Sequence, residues 1–593
     1  MSPRHFQVLL LIAVLVSGCD KPVEEVQIVG RIDNPVHQTI RIGDAVLLIA
    51  PDGSFQYKDT IGRPELVDVA YGELVWPLFL LPGTEFEIRI PEDSLATISF
   101  GGDLASSNAY LLKTVALTQD INNYLDSNWV SIHTMDQTRF VSIIDSLKEC
   151  FWVHLTSQVT GGQSLPGVFT RAWKAEVNYA LNALILRYPE RYRQFPQAPI
   201  QLSRKTLAYI EKSPIDNLQA LGLMGYKTFA RAWIDYHVNE KVRANASDRH
   251  RGLVKMDEIY HIIDQNFKKP YLVDYWKWEY IKAHLELHGY TNGMSFLEQY
   301  LHTVQTKSFR DEAVEYVQAQ EASREGNEVA LYKSVRGFNL EAHIFKPDSM
   351  EPVGRYPAIV IFHGGGWNSG NPSWAFGRAE HYAKLGMVAI AAQYRLTNSQ
   401  DITAVESMAD ARDLVMWMRS HADILQIDPN KIAGYGWSAG AHLISSAAIF
   451  PDTLDGSSIT SCPNALILVS PAVSLPKGED WEYWTHAVLG TKATVDEVNP
   501  VEHVRAGLPP VIILEGRDDT VTPLEGVQRF ADRMKSTGNR CELWVYDAVG
   551  HLFTPSSIPD YGWPQPDQAV QKRAFDQADL FLGSLGYIVV KSH

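Results

Sequence analysis

The stretch KIAGYGWSAGAHLISSAAIF, residues 431–450, reads as an apolar strand, then Gly-Trp-Ser-Ala-Gly, then apolar positions at helical spacing. A serine between glycines where a strand turns into a helix fits a reactive hydroxyl on a forced bend. It also fits an ordinary tight turn. Gly436 and Gly440 relieve crowding if the Ser438 backbone is strained, and the amino end of the next helix adds a partial positive charge beside the hydroxyl. Gly-x-Ser-x-Gly recurs by chance, so its meaning depends on partners elsewhere in the chain.

The surroundings supply a fold. PAIVIF (357–362), MVAIAAQ (387–393), KIAGYG (431–436), ALILVS (465–470), VIILEG (511–516) and ELWVYD (542–547) are short apolar runs separated by helical stretches. Runs without alternation predict strands buried on both faces, hence a mostly parallel sheet covered by helices. EVALYKSV and LEAHIFKP, just before them, predict an antiparallel hairpin at one edge. In such α/β sheets the chemistry gathers at the carboxyl ends of the strands.

Three further segments fall there. IFHGGGWNSG (361–370) places a glycine run after the first parallel strand, where backbone N–H groups can approach a developing oxyanion. ILEGRDDTVTP (513–523) offers Asp518 and Asp519 as rival acids. YDAVGHLF (546–553) presents His551 after the last strand. The order Ser438, aspartate, His551 is the chain order of an α/β-hydrolase triad.

On His363–Trp367, Gln393-Tyr394-Arg395-Leu396, Gly436–Gly440 and Gly550-His551, the region from about 328 to 593 resembles the α/β-hydrolase carboxylesterases with an HGGG loop. That group includes hormone-sensitive-lipase-like and feruloyl or acetyl-xylan esterase-like enzymes. The resemblance implies a serine ester hydrolase with catalytic Ser438, Asp519 and His551, and with oxyanion donors from Gly364, Gly365 and Ala439. It implies no metal and no cofactor. Asp519 is chosen over Asp518 because it lies three residues after Gly516 and is followed by Pro523. Two positions depart from the pattern: Glu515 replaces the usual His before the strand-end glycine, and Ala441 stands where a glycine commonly follows the serine motif. Trp367, Trp484 and Trp563, with other loop aromatics, are candidates to rim the site and stack on a sugar or aromatic acyl group, or to pack the loops. The expected partner is a small-molecule or glycan ester. A prolyl-oligopeptidase-type serine peptidase and a non-catalytic binding lipoprotein with a hydrolase-like domain remain alternatives.

The front of the chain is different. Residues 1–18 combine a basic start with a short apolar run and end at Val-Ser-Gly before Cys19. This resembles a bacterial lipoprotein signal, implying lipidation of Cys19 and an extracytoplasmic address in the cell envelope, anchored to a membrane. Residues 20–103 read as strands and predict a small antiparallel sheet or sandwich. The Asp52-Gly53-x-Phe55 and Leu81-Pro82-Gly83 turns resemble the amino-terminal β-domain of Bacteroidetes-type lipoproteins. Residues 104–321 switch to helical periodicity, and polar ASREGNEVA (322–330) suggests a boundary. Of four cysteines, Cys19 aside, three remain, so at least one is unpaired. A formal net charge of −16 over 593 residues argues against nucleic-acid binding, which needs a basic face.

Overall fold

The computed structural model describes residues 23–589 apart from 92–93, 161–163, 193–199, 245–250, 325–326, 352, 398–401, 453, 455–458, 479–484, 486–487, 491 and 561. The signal segment with Cys19, and Trp484, therefore lie outside the described residues. The chain divides into two compact units, and the change-over at 236/237 falls inside the helix Met224–Ala244.

The first unit opens with eight strands: β1 (Glu24–Ile32), β2 (Thr39–Ile42), β3 (Ala45–Leu48), β4 (Ser54–Ile61), β5 (Glu65–Tyr71), β6 (Leu74–Leu80), β7 (Glu85–Ile90) and β8 (Ser99–Gly102). They form two four-stranded sheets, ordered β4-β1-β7-β8 and β3-β2-β5-β6. Alternation of buried and exposed residues along β1 and β7 gives these strands one covered face. The sheets are not wholly antiparallel. β7 returns beside β1 after the excursion through β2–β6 and pairs with it in parallel, Ile28 opposite Phe86. Long helices follow, among them Ala105–Ser127, Gln137–Thr160 and Gly167–Tyr192.

The second unit begins with more helices: Arg251–Asn266, Pro270–His288, Tyr290–Thr303 and Lys307–Arg324. The tryptophans of the helical stretch serve mainly as core. Trp173, Trp276 and Trp278 are buried, and Trp129, Trp152 and Trp233 half-buried.

The eight expected apolar runs then appear as β9 (Glu328–Val335), β10 (Phe338–Phe345), β11 (Tyr356–Phe362), β12 (Val388–Ala392), β13 (Ile427–Trp437), β14 (Ala465–Val469), β15 (Val511–Gly516) and β16 (Cys541–Tyr546). Their order is β16-β15-β14-β13-β11-β12-β10-β9. β9 and β10 form the antiparallel edge, and β12 through β16 with β11 are parallel. Strand residues alternate between two cores. Ala358, Val360 and Phe362 pack on one side with the helices Ala404–Ser420, Ala439–Ile449 and Leu524–Ser536. Ile359 and Ile361 pack on the other with Phe376–Lys384 and Gln568–Ser584. This is the α/β-hydrolase architecture. The chain moves from β11 outward to β12, then back across to β13. The strand order therefore reverses between β11 and β13, whose carboxyl ends open onto the crevice where such sheets bind ligands.

Candidate active site

Ser438 stands between β13 and the helix Ala439–Ile449 with φ 53° and ψ −121°. A non-glycine residue pays for such a conformation, and here the surroundings impose it. The Ser438 N–H donates to the Val469 carbonyl at 3.0 Å, while its own carbonyl accepts from Ala441 and His442. A side chain on Gly440 would put Cβ 2.2 Å from the Phe362 carbonyl oxygen, so only glycine lets this turn lie against the end of β11.

The loop after β11 is locked from below. His363 is buried, and desolvation pushes it down to about 4, so its ring is neutral. It stacks on Tyr394 at 4.5 Å, and its Nδ1 lies 2.7 Å from the Gly364 carbonyl, which also accepts from the Tyr394 hydroxyl. Gly365 and Gly366 have φ of +105° and +58° and line the cavity above Ser438. Gly364 is not in that lining; it sits against the Trp437 ring. The cavity-facing pair is thus one residue further along than Gly364 and Gly365, because the left-handed turn begins at Gly365. Ala439 opens the helix beside Ser438. Among the described residues, the amides of Gly365, Gly366 and Ala439 engage no protein acceptor.

Trp367 is buried rather than rim-exposed, at 4%. Its indole N–H donates to His442 Nδ1 at 3.3 Å, and His442 Nε2 lies 3.0 Å from the Val498 carbonyl. Neutral His442, pushed down to about 4 by burial, thereby ties the glycine loop to the serine helix.

The structure also separates the two aspartates. Asp518 is exposed and accepts from Ser556. Asp519 is buried, and its Oδ2 meets His551 Nδ1 at 2.8 Å. Its Oδ1 accepts from the N–H groups of Val521 and Thr522. Burial works against the Asp519 charge, but the His551 contact and these amides outweigh it and hold the carboxyl below its usual range. Sequence reading missed Asp560, whose Oδ1 accepts from the His551 N–H at 2.9 Å while Oδ2 accepts from the Thr520 N–H and hydroxyl. It also missed Ser470, which receives the Leu552 N–H. No local motif signals either residue.

Ser438 and His551 line one cavity of about 870 Å³ with Gly365, Gly366, Trp367 and Asp560. Trp374 and Trp563 form an edge-to-face pair on it, 5.0 Å between centroids, with Trp563 72% exposed. Glu286 and Leu287, from the end of the helix Pro270–His288, complete the wall. Among the described residues, no group of three or more His, Cys, Asp or Glu could hold a metal ion. Cys150, Cys462 and Cys541 are all free.

Comparison with known proteins agrees with this architecture. A family model described as BD-FAE matches residues 343–465. "Probable carboxylic ester hydrolase LipM" of Mycobacterium tuberculosis is 26% identical over 215 residues, covering 33% of this chain and 49% of that protein. An acetylxylan esterase of Xylanibacter ruminicola is 28% identical over 218 residues, covering 35% and 42%. The chain thus spans about half or less of the length of these curated relatives. The apo form of Thermogutta terrifontis esterase 2 is 36% identical, with 45% of this chain and 97% of that one covered and a TM-score of 0.41. By that identity across nearly the whole of a solved esterase, the chain belongs, through its carboxy-terminal region, to the α/β-hydrolase family of carboxylic-ester hydrolases.

Proposed function

We propose that this protein is a serine carboxylesterase working by double displacement. The observation that carries the reading is the strained Ser438 on the same cavity wall as His551, which is itself bonded to buried Asp519. His551 takes the Ser438 proton as the hydroxyl attacks an acyl carbon, and Asp519 fixes the ring and stabilises its charged form. The amides of Gly365, Gly366 and Ala439 receive the oxyanion, each worth about 3–4 kcal/mol in such sites. His551 then protonates the departing alcohol, and water releases the acid by the same route.

The substrate class we propose is an acylated carbohydrate or similar small ester. The paired Trp374 and Trp563 at the cavity support it by offering ring faces, and so does the likeness to an acetylxylan esterase. We further propose that Cys19 carries a lipid that tethers the enzyme in the cell envelope; among the described residues no helix is long and apolar enough to cross a membrane. Metabolic labelling with a radioactive fatty acid, lost in Cys19→Ser, tests the tether. For the chemistry, Ser438→Ala should abolish turnover of short acyl nitrophenyl esters while preserving the thermal transition. Retained turnover, or faster cleavage of aminoacyl-proline amides than of acetylated sugars, would overturn the reading.

A further inference from the structure

Glu515 ends β15 with its side chain fully buried, at 0% exposure. Neither carboxyl oxygen meets a hydrogen-bond donor among the described residues. An ionised carboxylate so placed would forfeit its hydration without compensation. The charged and titratable groups that act on it are Asp519, whose neighbouring carboxyl is the larger influence, and Asp560, the smaller; no lysine or arginine is among them. The β16 residue opposite it is Val545. Beyond Asp519 stands His551.

Two carboxyls in contact in a buried site share a single proton, because both cannot ionise cheaply. The donors decide which one holds it. Asp519 accepts from Val521 N–H, Thr522 N–H and His551, and these stabilise its charge. The Thr522 hydroxyl has one proton and two acceptors in reach, the Ser470 carbonyl at 3.2 Å and Asp519 Oδ2 at 3.0 Å. When it turns to Ser470, Asp519 keeps a free lone pair.

We propose that Glu515 is a positioning residue: it stands as a neutral carboxylic acid and donates its proton in a hydrogen bond to Asp519, so that the Glu515–Asp519 pair behind His551 carries one negative charge, not two. This rests on the assignment of Asp519 and His551 to ester hydrolysis. Burial first, then the Asp519 charge and contact, push the Glu515 carboxyl well above its usual range, in the same direction.

The test uses the whole protein and two readouts. The folded state keeps a proton that the unfolded chain releases above about pH 4.5, so wild-type stability falls as pH rises through that window. Glu515→Gln has no such proton. Its Tm advantage over wild type should widen from about pH 5 to 8, the wild-type unfolding constant gaining up to about tenfold per pH unit relative to the variant. In kinetics, Glu515→Gln restores a neutral donor, so kcat/KM should stay within about threefold of wild type with the acid limb of its pH profile in place. Glu515→Leu, without a donor, should lower kcat by about fivefold or more with little change in KM. A Tm gap that stays flat with pH, or an acid limb in Glu515→Gln displaced downward by about one unit as expected on removing a buried negative charge, would overturn the proposal. The Tm readout needs no turnover, so it decides the state of Glu515 even if Ser438→Ala shows the esterase assignment to be wrong.

Discussion

Asp560→Ala should cripple the site without touching any of its reacting groups. The carboxylate takes three donors, His551 N–H, Thr520 N–H and the Thr520 hydroxyl, each at 2.9 Å. Hydrogen bonds to a charged acceptor contribute about 1.5–3 kcal/mol each. Only the first bears on the placement of His551, and Asp560 is half-buried, so the lower end of that range applies. If the loss is felt in the transition state, kcat/KM falls by about 10- to 30-fold at constant pH. Steady-state kinetics on a short nitrophenyl ester, with Tm as a control, gives the number. A second variant checks the cause. A Cβ on Gly550 would sit 2.5 Å from the Asp560 carboxylate, so Gly550→Ala should displace the same group. The double variant should then be no worse than the more damaged single one, by the logic of a double-mutant cycle. A drop of less than about threefold in Asp560→Ala, or full additivity with Gly550→Ala, would refute the claim that Asp560 positions His551.

Three other expectations follow from the same structure. Burial pushes His363 and His442 down to about 4, whereas an unfolded histidine titrates near 6.5, so each contributes stability above about pH 6.5 that is lost as pH falls toward 4, at up to about 1.4 kcal/mol per unit; the stability gap between wild type and His442→Gln measured by denaturant titration should shrink across that window, and a constant gap would count against it. Trp563→Ala removes an exposed ring from the cavity rim, and at about 0.5–1.5 kcal/mol for an aromatic contact it should raise KM for an acetylated sugar by about 2- to 10-fold, more than for a simple alkyl acetate. A chain beginning at residue 327 loses the partners of Gln393, Asn339, Asn371 and Glu341, namely the His288 carbonyl, Asn292, the Glu286 carbonyl and Thr291; it should melt well below a chain beginning at residue 251, since these hydrogen bonds at about 1 kcal/mol each go with the cover over the buried Phe338.

What the sequence disclosed, and what it withheld, divides along a physical line. The inner strands of the hydrolase sheet were legible because burial on both faces writes itself as a local apolar run, the less buried edge strands β9 and β16 because they still carry several apolar positions, and the serine, the acid and the histidine because each comes shortly after such a run. Asp519 against Asp518 needed only the turn after Gly516 to be built. The polar stretch at 322–330 looked like the edge of the catalytic region for the same local reason, yet compactness begins near residue 237. Helices there carry ordinary amphipathic patterns that do not state their partner. The partner is found only in three dimensions, where Asn292 exchanges hydrogen bonds with the Asn339 backbone, Gln393 donates to the His288 carbonyl, and Asn371 donates to that of Glu286. Those contacts carry Glu286 and Leu287 to the cavity that holds Ser438. A helix more than 140 residues upstream of the serine thus helps shape what reaches it. The helical stretch from residue 251 therefore packs in the same compact unit as the hydrolase sheet: removing it would strip one wall from the cavity that holds Ser438 as well as the cover from the β9–β10 edge.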